Sequence, residues 1–318
     1  MRAIIRDTYG PPESLRLAEL PDPTPAPGEV TVRVHAASLF AGDQYALRGR
    51  PLMIRAATGL RRPKTPVPGM DLAGTVEAIG FGVADLRPGD AVLGWTKGSL
   101  AELVRVPADQ LVAKPAALTF EEAAAIPEAA VTALQAIRDE GKVKPGDRVL
   151  VIGASGGVGT FAVQIAAALG AEVTAAASTR NADLVRSIGA ARIVDYTTTD
   201  PATTGPYDVI LQVAGTASPN HLRRALTRNG ILVLSSGQGF LNGIGRILQA
   251  TLLNPFVSQR LAVLMTNENR ADLAAITAMI EAGQVRPVID ATYPLAEAAA
   301  AFRHLETGHT RGKLVLTV

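Results

Sequence analysis

The 318-residue chain has no cysteine. That excludes disulfides, thiolate nucleophiles, iron–sulfur clusters and cysteine-ligated zinc. It has only four histidines, His35, His221, His304 and His309, and none lies at ligand spacing from another. No uninterrupted apolar run reaches the roughly 18 residues of a spanning helix. The opening MRAIIRDTYG lacks a basic stretch followed by a long apolar one, so no secretory signal is expected and a cytoplasmic location is. The chain also lacks a strong excess of one charge. A net charge of +2 gives no general reason to expect a nucleic-acid partner. What it has is apolar residues, 47% of the total, enough to offset chain entropy and exclude global disorder. At roughly 100–200 residues per domain, the length implies two domains.

The first stretch reads as β-rich. Val30 to Val34 alternates with strand period, and turn chemistry recurs at Pro21-Asp22-Pro23, Pro25 to Gly28, Pro68-Gly69 and Pro88-Gly89-Asp90. The pattern then changes. Thr119 with Glu122 three places on is a capping box that opens a helix, and Pro127 to Glu140 continues helical up to Gly141. From residue 148 strands and helices alternate. The strands are 148–152, 172–177, 192–194, 208–213 and 230–235, and the helices are 158–169, 182–188 and 221–227. Such alternation specifies βαβ units and a parallel sheet. Helices over 270–281 and 295–306 and a strand over 313–318 close the chain.

The informative motif is Gly153-Ala154-Ser155-Gly156-Gly157-Val158-Gly159, which follows the apolar run Val149 to Ile152. A buried strand enters a glycine turn and then a helix. Gly156 permits close approach of a pyrophosphate to the backbone, Gly159 permits close helix–strand packing, and the helix N-terminus attracts the anion. Ala154 replaces the first glycine of the usual pattern. The second strand ends in Ser178-Thr179-Arg180-Asn181, without the carboxylate that would pair a ribose 2′-hydroxyl. Hydroxyls and a guanidinium donate to a 2′-phosphate, so NADP(H) is expected over NAD(H). The competing reading is a helix cap beside a solvated arginine.

The run Gly153 to Gly159, with Gln164, Ala166, Gly170-Ala171, Ser178 and Gly189-Ala190 to Asp195-Tyr196, resembles the medium-chain dehydrogenase/reductase superfamily, and within it the zinc-free quinone oxidoreductase branch. Further matches are Pro66 to Val76, Arg87 to Val92, Ala133 to Ala136 and Arg311 to Val315. The resemblance implies an α/β fold with two parts. A Rossmann doubly wound parallel sheet over 118–266 binds NADP(H), and a GroES-like β-rich catalytic domain forms from 1–117 and 267–318. The cofactor is expected in the cleft between them. It implies Ser155, Gly156, Gly157 and Val158 at the diphosphate. Ser178, Thr179, Arg180 and Tyr196 are implied near the 2′-phosphate, Val213 and Ser236 along the cofactor path, and Lys313 returning toward the cofactor. Thr132 is implied near the nicotinamide. For Tyr196 the alternative is strand-end packing, and for Lys313 a solvated edge-strand lysine.

Zinc alcohol dehydrogenases of the superfamily use a Cys, a His-Glu pair and a later Cys or Asp. The matching positions are Phe40, Met70-Asp71 and the neighbourhood of Ala129, so no metal site is expected. The lobe that carries four cysteines is absent between Gly94 and Ala101. Family members usually carry Asn-Pro where this chain has Phe40-Ala41, and Phe40 exchanges a polar contact beside the nicotinamide for an aromatic wall. Phe40, Tyr45, Met70 and Phe240 are the expected substrate pocket. Tyr45 and Thr132 are the candidate catalytic residues, with packing the competing role for Tyr45 and helix capping the expected role of Asp43.

Without a Lewis acid, the substrate must already accept hydride. Quinones and α,β-unsaturated carbonyls do, because their developing negative charge needs only a hydrogen-bond donor and a proton. The expectation is an NADP-dependent reductase of the quinone or enoyl type acting on a small apolar molecule, as a homodimer with no membrane span and no nucleic-acid partner. The alternatives are a dedicated biosynthetic enoyl reductase, or a non-catalytic NADPH-binding or RNA-binding protein on the same fold. The basic run from Arg48 to Lys64 reads as a solvated loop, because no stacking aromatics interleave its charges. The apolar stretch 240–265 reads as a pocket wall or dimer surface.

Overall fold

The computed structural model describes residues 1–235 and 240–318, the side chains of 240–244 excepted. Ser236 lies outside the described residues, as does the side chain of Phe240. The chain divides into two compact units. One comprises Met1–Ala129, Glu268–Glu281 and Pro287–Val318, and the other Ala130–Asn267 with Ala282–Arg286.

The second unit is built on a six-stranded, wholly parallel sheet. In space its strands run Arg192–Asp195, Glu172–Ala177, Arg148–Ile152, Tyr207–Gln212, Leu226–Leu234 and Arg260–Val263. Chain order therefore reverses beside Arg148–Ile152, the topology of a doubly wound sheet. The central strand is apolar on both faces and almost wholly buried, as a parallel strand covered on both sides requires. The sixth strand, Arg260–Val263, lies within the stretch read from sequence as a pocket wall. Its four residues are too short a run to separate from the apolar helix before it. The fifth strand starts at Leu226 rather than Gly230, and the preceding helix is cut to Pro219–Leu222 with a 3₁₀ turn over Arg223–Ala225.

The first unit carries a seven-stranded sheet and a two-stranded one. Its organising element is the eleven-residue strand Glu29–Leu39. The first half of that strand pairs with Leu103–Pro107 and the second half with Lys313–Thr317, while Asp71–Ile79 runs along its other side. Register shifts near Thr31 and Val34 bend the strand, as bulges do. The C-terminal strand Lys313–Thr317 is flanked on both sides, by Glu29–Leu39 and by Ile289–Pro294. It is no edge strand, which removes the solvated-lysine reading of Lys313.

Local chemistry is as the sequence specifies at the boundary of the β-rich stretch. Thr119 Oγ1 accepts from Glu122 N at 3.2 Å, and Glu122 Oε2 accepts from Thr119 N at 2.9 Å. The helix expected over 127–140 is α-helical over Pro127–Leu134 and widens to a π-helix over Gln135–Glu140 before Gly141.

Candidate active site

In the parallel unit, the expected cofactor residues follow the carboxyl ends of neighbouring strands. Gly153 takes φ +86°, which turns the chain from strand to helix. A Cβ on Gly159 would stand 2.0 Å from Gly153 O and 2.8 Å from Ala154 Cα. Only glycine lets the helix Gly157–Ala168 come that close. At Gly156 a Cβ would meet only Gly153 O, at 3.5 Å. The turn is therefore open to a ligand where Gly156 stands and closed by its own backbone where Gly159 stands.

The loops after the strands are joined by hydrogen bonds. Asn181 Nδ2 donates to Ser155 Oγ at 2.9 Å, which ties the second loop to the glycine turn. Val213 N donates to Ile152 O at 3.1 Å, tying the fourth to the first. Thr179 N donates to Asp195 Oδ2 at 3.1 Å, and the Thr179 hydroxyl donates to the same oxygen. Ser155, Ser178, Thr179, Arg180 and Val213 thus share one edge of the sheet with the half-exposed Tyr196, which follows Asp195. The side-chain carbonyls of Asn181 and Gln212 are buried on this edge without hydrogen-bond partners among the described residues. Thr132 is buried, and its Oγ1 lies 3.0 Å from that of Thr266, three residues beyond the sixth strand.

Asp195 is a residue that local reading of the second strand passes over. It comes from the third strand, but the parallel register sets it opposite Ala177. Its Oδ1 accepts from Thr197 N at 2.8 Å and Thr197 Oγ1 at 2.6 Å. The Thr179 and Thr197 donors hold its carboxyl down at about 2, well below the ordinary carboxylate value. The signal was the doubly wound topology, which brings the third strand's end beside the second's.

In the β-rich unit, register puts three expected residues at the ends of adjacent strands. Ser38 pairs with Asp71 and Leu39 with Leu314, so Phe40, Met70 and Lys313 share one end of the sheet. Tyr45 lies on the following helix, Ala41–Arg48, half-buried. The Phe40 ring folds over the start of that helix, so close that a Cβ on Gly42 would fall 2.2 Å from it. Lys313 does not extend toward solvent. It is 2% exposed, and its ammonium donates to Asp71 Oδ2 at 3.1 Å. Asp71 is fully buried and also accepts from Ser38 Oγ at 3.0 Å and Glu128 N at 3.1 Å. This buried pair escaped the sequence reading, although a charge at each of two apolar strand starts was its mark.

Asp43 caps its helix as expected, its Oδ2 accepting from Phe40 N at 3.1 Å. It is also buried. Desolvation pushes its carboxyl up to about 7, with Asp71 adding to the rise while the Phe40 amide, Lys313 and Arg6 oppose it. Arg6 is buried as well, and burial lowers its pKa.

Two family models match the chain, the alcohol dehydrogenase GroES-like domain over residues 26–116 and the zinc-binding dehydrogenase over residues 188–316. The human mitochondrial NAD(P)H oxidoreductase RTN4IP1 is 33% identical over 360 residues, spanning 100% of this chain and 89% of its own. The chain is a quinone oxidoreductase-like member of the medium-chain dehydrogenase/reductase superfamily. Among solved structures, the Escherichia coli quinone oxidoreductase complexed with NADPH superposes with a TM-score of 0.85 at 25% identity, covering all of both chains. The CurK enoyl reductase superposes at 0.87 and 26% identity, covering 99% of this chain and 98% of its own. The chain has no cysteine, and neither Phe40 nor Met70 carries an anionic or imidazole group that could ligate zinc.

Proposed function

We propose that this medium-chain reductase is an NADPH-dependent oxidoreductase that reduces quinones or α,β-unsaturated carbonyls without a metal ion. The observation that carries the reading is the open glycine turn at Gly156, at the switch point of the parallel sheet and followed by a twelve-residue helix. The backbone of Ser155–Val158 and the helix N-terminus would hold the diphosphate. Ser178 and Arg180 would donate to the 2′-phosphate, with Tyr196 beside them. The buried carbonyls of Asn181 and Gln212 are acceptors for hydroxyl groups, and they fit a dinucleotide along this edge. Val213 would line the path toward the nicotinamide, and Thr132 would contact that ring.

Bound NADPH would supply a hydride to an enone's β-carbon or to a quinone, and the residues of this chain would supply position and a route for the proton that completes the product. Phe40 and Met70, at one end of the sheet of the β-rich unit, would offer an apolar wall to a flat, conjugated acceptor. Tyr45 is the proposed hydroxyl donor to the developing oxyanion. Lys313 acts indirectly, since its charge is spent on Asp71. A cytosolic homodimer is part of the same reading.

The test is loss of reduced-nicotinamide absorbance with a panel of quinones, enones and enoyl thioesters, with and without chelator. Saturable, chelator-insensitive turnover is expected. Turnover abolished by chelator, or no saturable uptake of either nicotinamide dinucleotide, would overturn the reading. The pattern of turnover decides between the quinone and enoyl branches, and CurK makes the second a specific alternative.

A further inference from the structure

Between Asp43 and Asp71 the chain has no acidic residue and six basic ones, Arg48, Arg50, Arg55, Arg61, Arg62 and Lys64. The whole chain is only +2, so the remainder is net negative. The structure separates the six. Arg48 pairs with Glu306 at 2.5 Å. Arg55 lies 4.6 Å from the Tyr9 ring centroid and donates to Gly49 O at 3.0 Å. Arg50, Arg61, Arg62 and Lys64 are exposed, and none of them forms an ion pair among the described residues. Three large apolar side chains protrude between these cations: Leu52, Met53 and Leu60, at 70%, 65% and 76% exposure. One exposed leucine is ordinary. Three exposed within nine residues, together with four exposed cations that form no ion pair among the described residues, make this segment both apolar and basic at the surface.

The segment is held in place from behind. Tyr9 OH donates to Gly59 O at 2.6 Å and lies 2.8 Å from Thr58 Oγ1. Lys64 N donates to Thr58 O at 2.7 Å. These bonds, with the Arg55–Tyr9 stack, fasten the inner side of the short helix Ile54–Thr58. Leu52 and Met53 before it and Leu60 after it are left in water.

We propose that segment 50–64 docks the protein onto an anionic lipid surface, with Leu52, Met53 and Leu60 entering the headgroup region and Arg50, Arg61, Arg62 and Lys64 meeting lipid phosphates. Charge complementarity selects an acidic occupant. Exposed aliphatic side chains interspersed along the chain with cations suit a deformable interface. No aromatic residue lies between Tyr45 and Phe81 to stack on bases, which disfavours a nucleic acid.

The full-length protein is sedimented with vesicles of phosphatidylcholine containing about 30 mol% phosphatidylglycerol, and with phosphatidylcholine alone, at about 0.1 M salt. Binding to the anionic vesicles only is expected. Arg61→Glu with Arg62→Glu should weaken it by at least about tenfold, and Leu52→Ser with Leu60→Ser should weaken it at unchanged charge. Thermal melts of both variants check folding, which these exposed substitutions should leave intact. Absent vesicle binding, or equal binding by the charge-reversed variant, overturns the proposal. So does capture by polyglutamate or single-stranded RNA in place of vesicles.

Discussion

Replacing Asp43 with Asn should make the β-rich unit more stable in a strongly pH-dependent way. Burial raises the folded-state carboxyl from 3.8 to about 7, so the folded protein prefers the protonated acid. The stability this preference contributes is fully present below about pH 4, fades as pH rises, and is gone above about pH 7. At about 1.4 kcal/mol per pKa unit, the full swing is about 4 kcal/mol. Asn carries no charge at any pH, yet its carbonyl can still accept from Phe40 N. The gap between variant and wild type should therefore be near zero at about pH 4 and widen to about 4 kcal/mol by about pH 8. For a unit of this size, that is roughly 10 °C in melting temperature. Trp95 is the only tryptophan. It is 1% exposed and lies opposite Asp71 in the same sheet, so its fluorescence reports this unit's unfolding. Melts of both proteins across the pH range measure the gap, and other titrating groups cancel between them. A gap that stays constant with pH would refute the argument that burial governs Asp43.

Four further outcomes follow from the two sites. Gly156→Ala should change stability by less than about 1 kcal/mol yet weaken NADPH binding by at least about tenfold, as measured by titration, because its methyl group enters the space proposed for the diphosphate. Gly159→Ala should instead destabilise by about 3 kcal/mol in urea unfolding, since its Cβ meets backbone atoms that cannot turn aside. Lys313→Met should cost about 3–5 kcal/mol by leaving Asp71 charged and buried, and adding Asp71→Asn should recover much of that loss. Asp195→Asn removes a charge that stays ionised through the assay range. It should raise the preference for NADPH over NADH by roughly threefold, and an unchanged ratio of dissociation constants would count against a 2′-phosphate at Ser178 and Arg180.

The amino-acid sequence by itself determined what depends on neighbours along the chain. The glycine turn needs positive φ at Gly153 and a missing Cβ at Gly159, and both are written as residue types at fixed spacing. The Thr119–Glu122 box is local in the same way, and so is the alternation that declares a parallel sheet. Tertiary structure alone decided what distant segments share. Asp195 joins the second strand's loop because parallel pairing brings two strand ends together. Lys313 is buried because its strand is flanked on both sides, which no local pattern reveals. Asp43 looks like an ordinary cap until the fold buries it, with Asp71, Lys313 and Arg6, each far from it along the chain, adding smaller and partly opposing effects. Hydrogen bonds between near residues are encoded by spacing, whereas burial and electrostatics sum over everything the fold brings near.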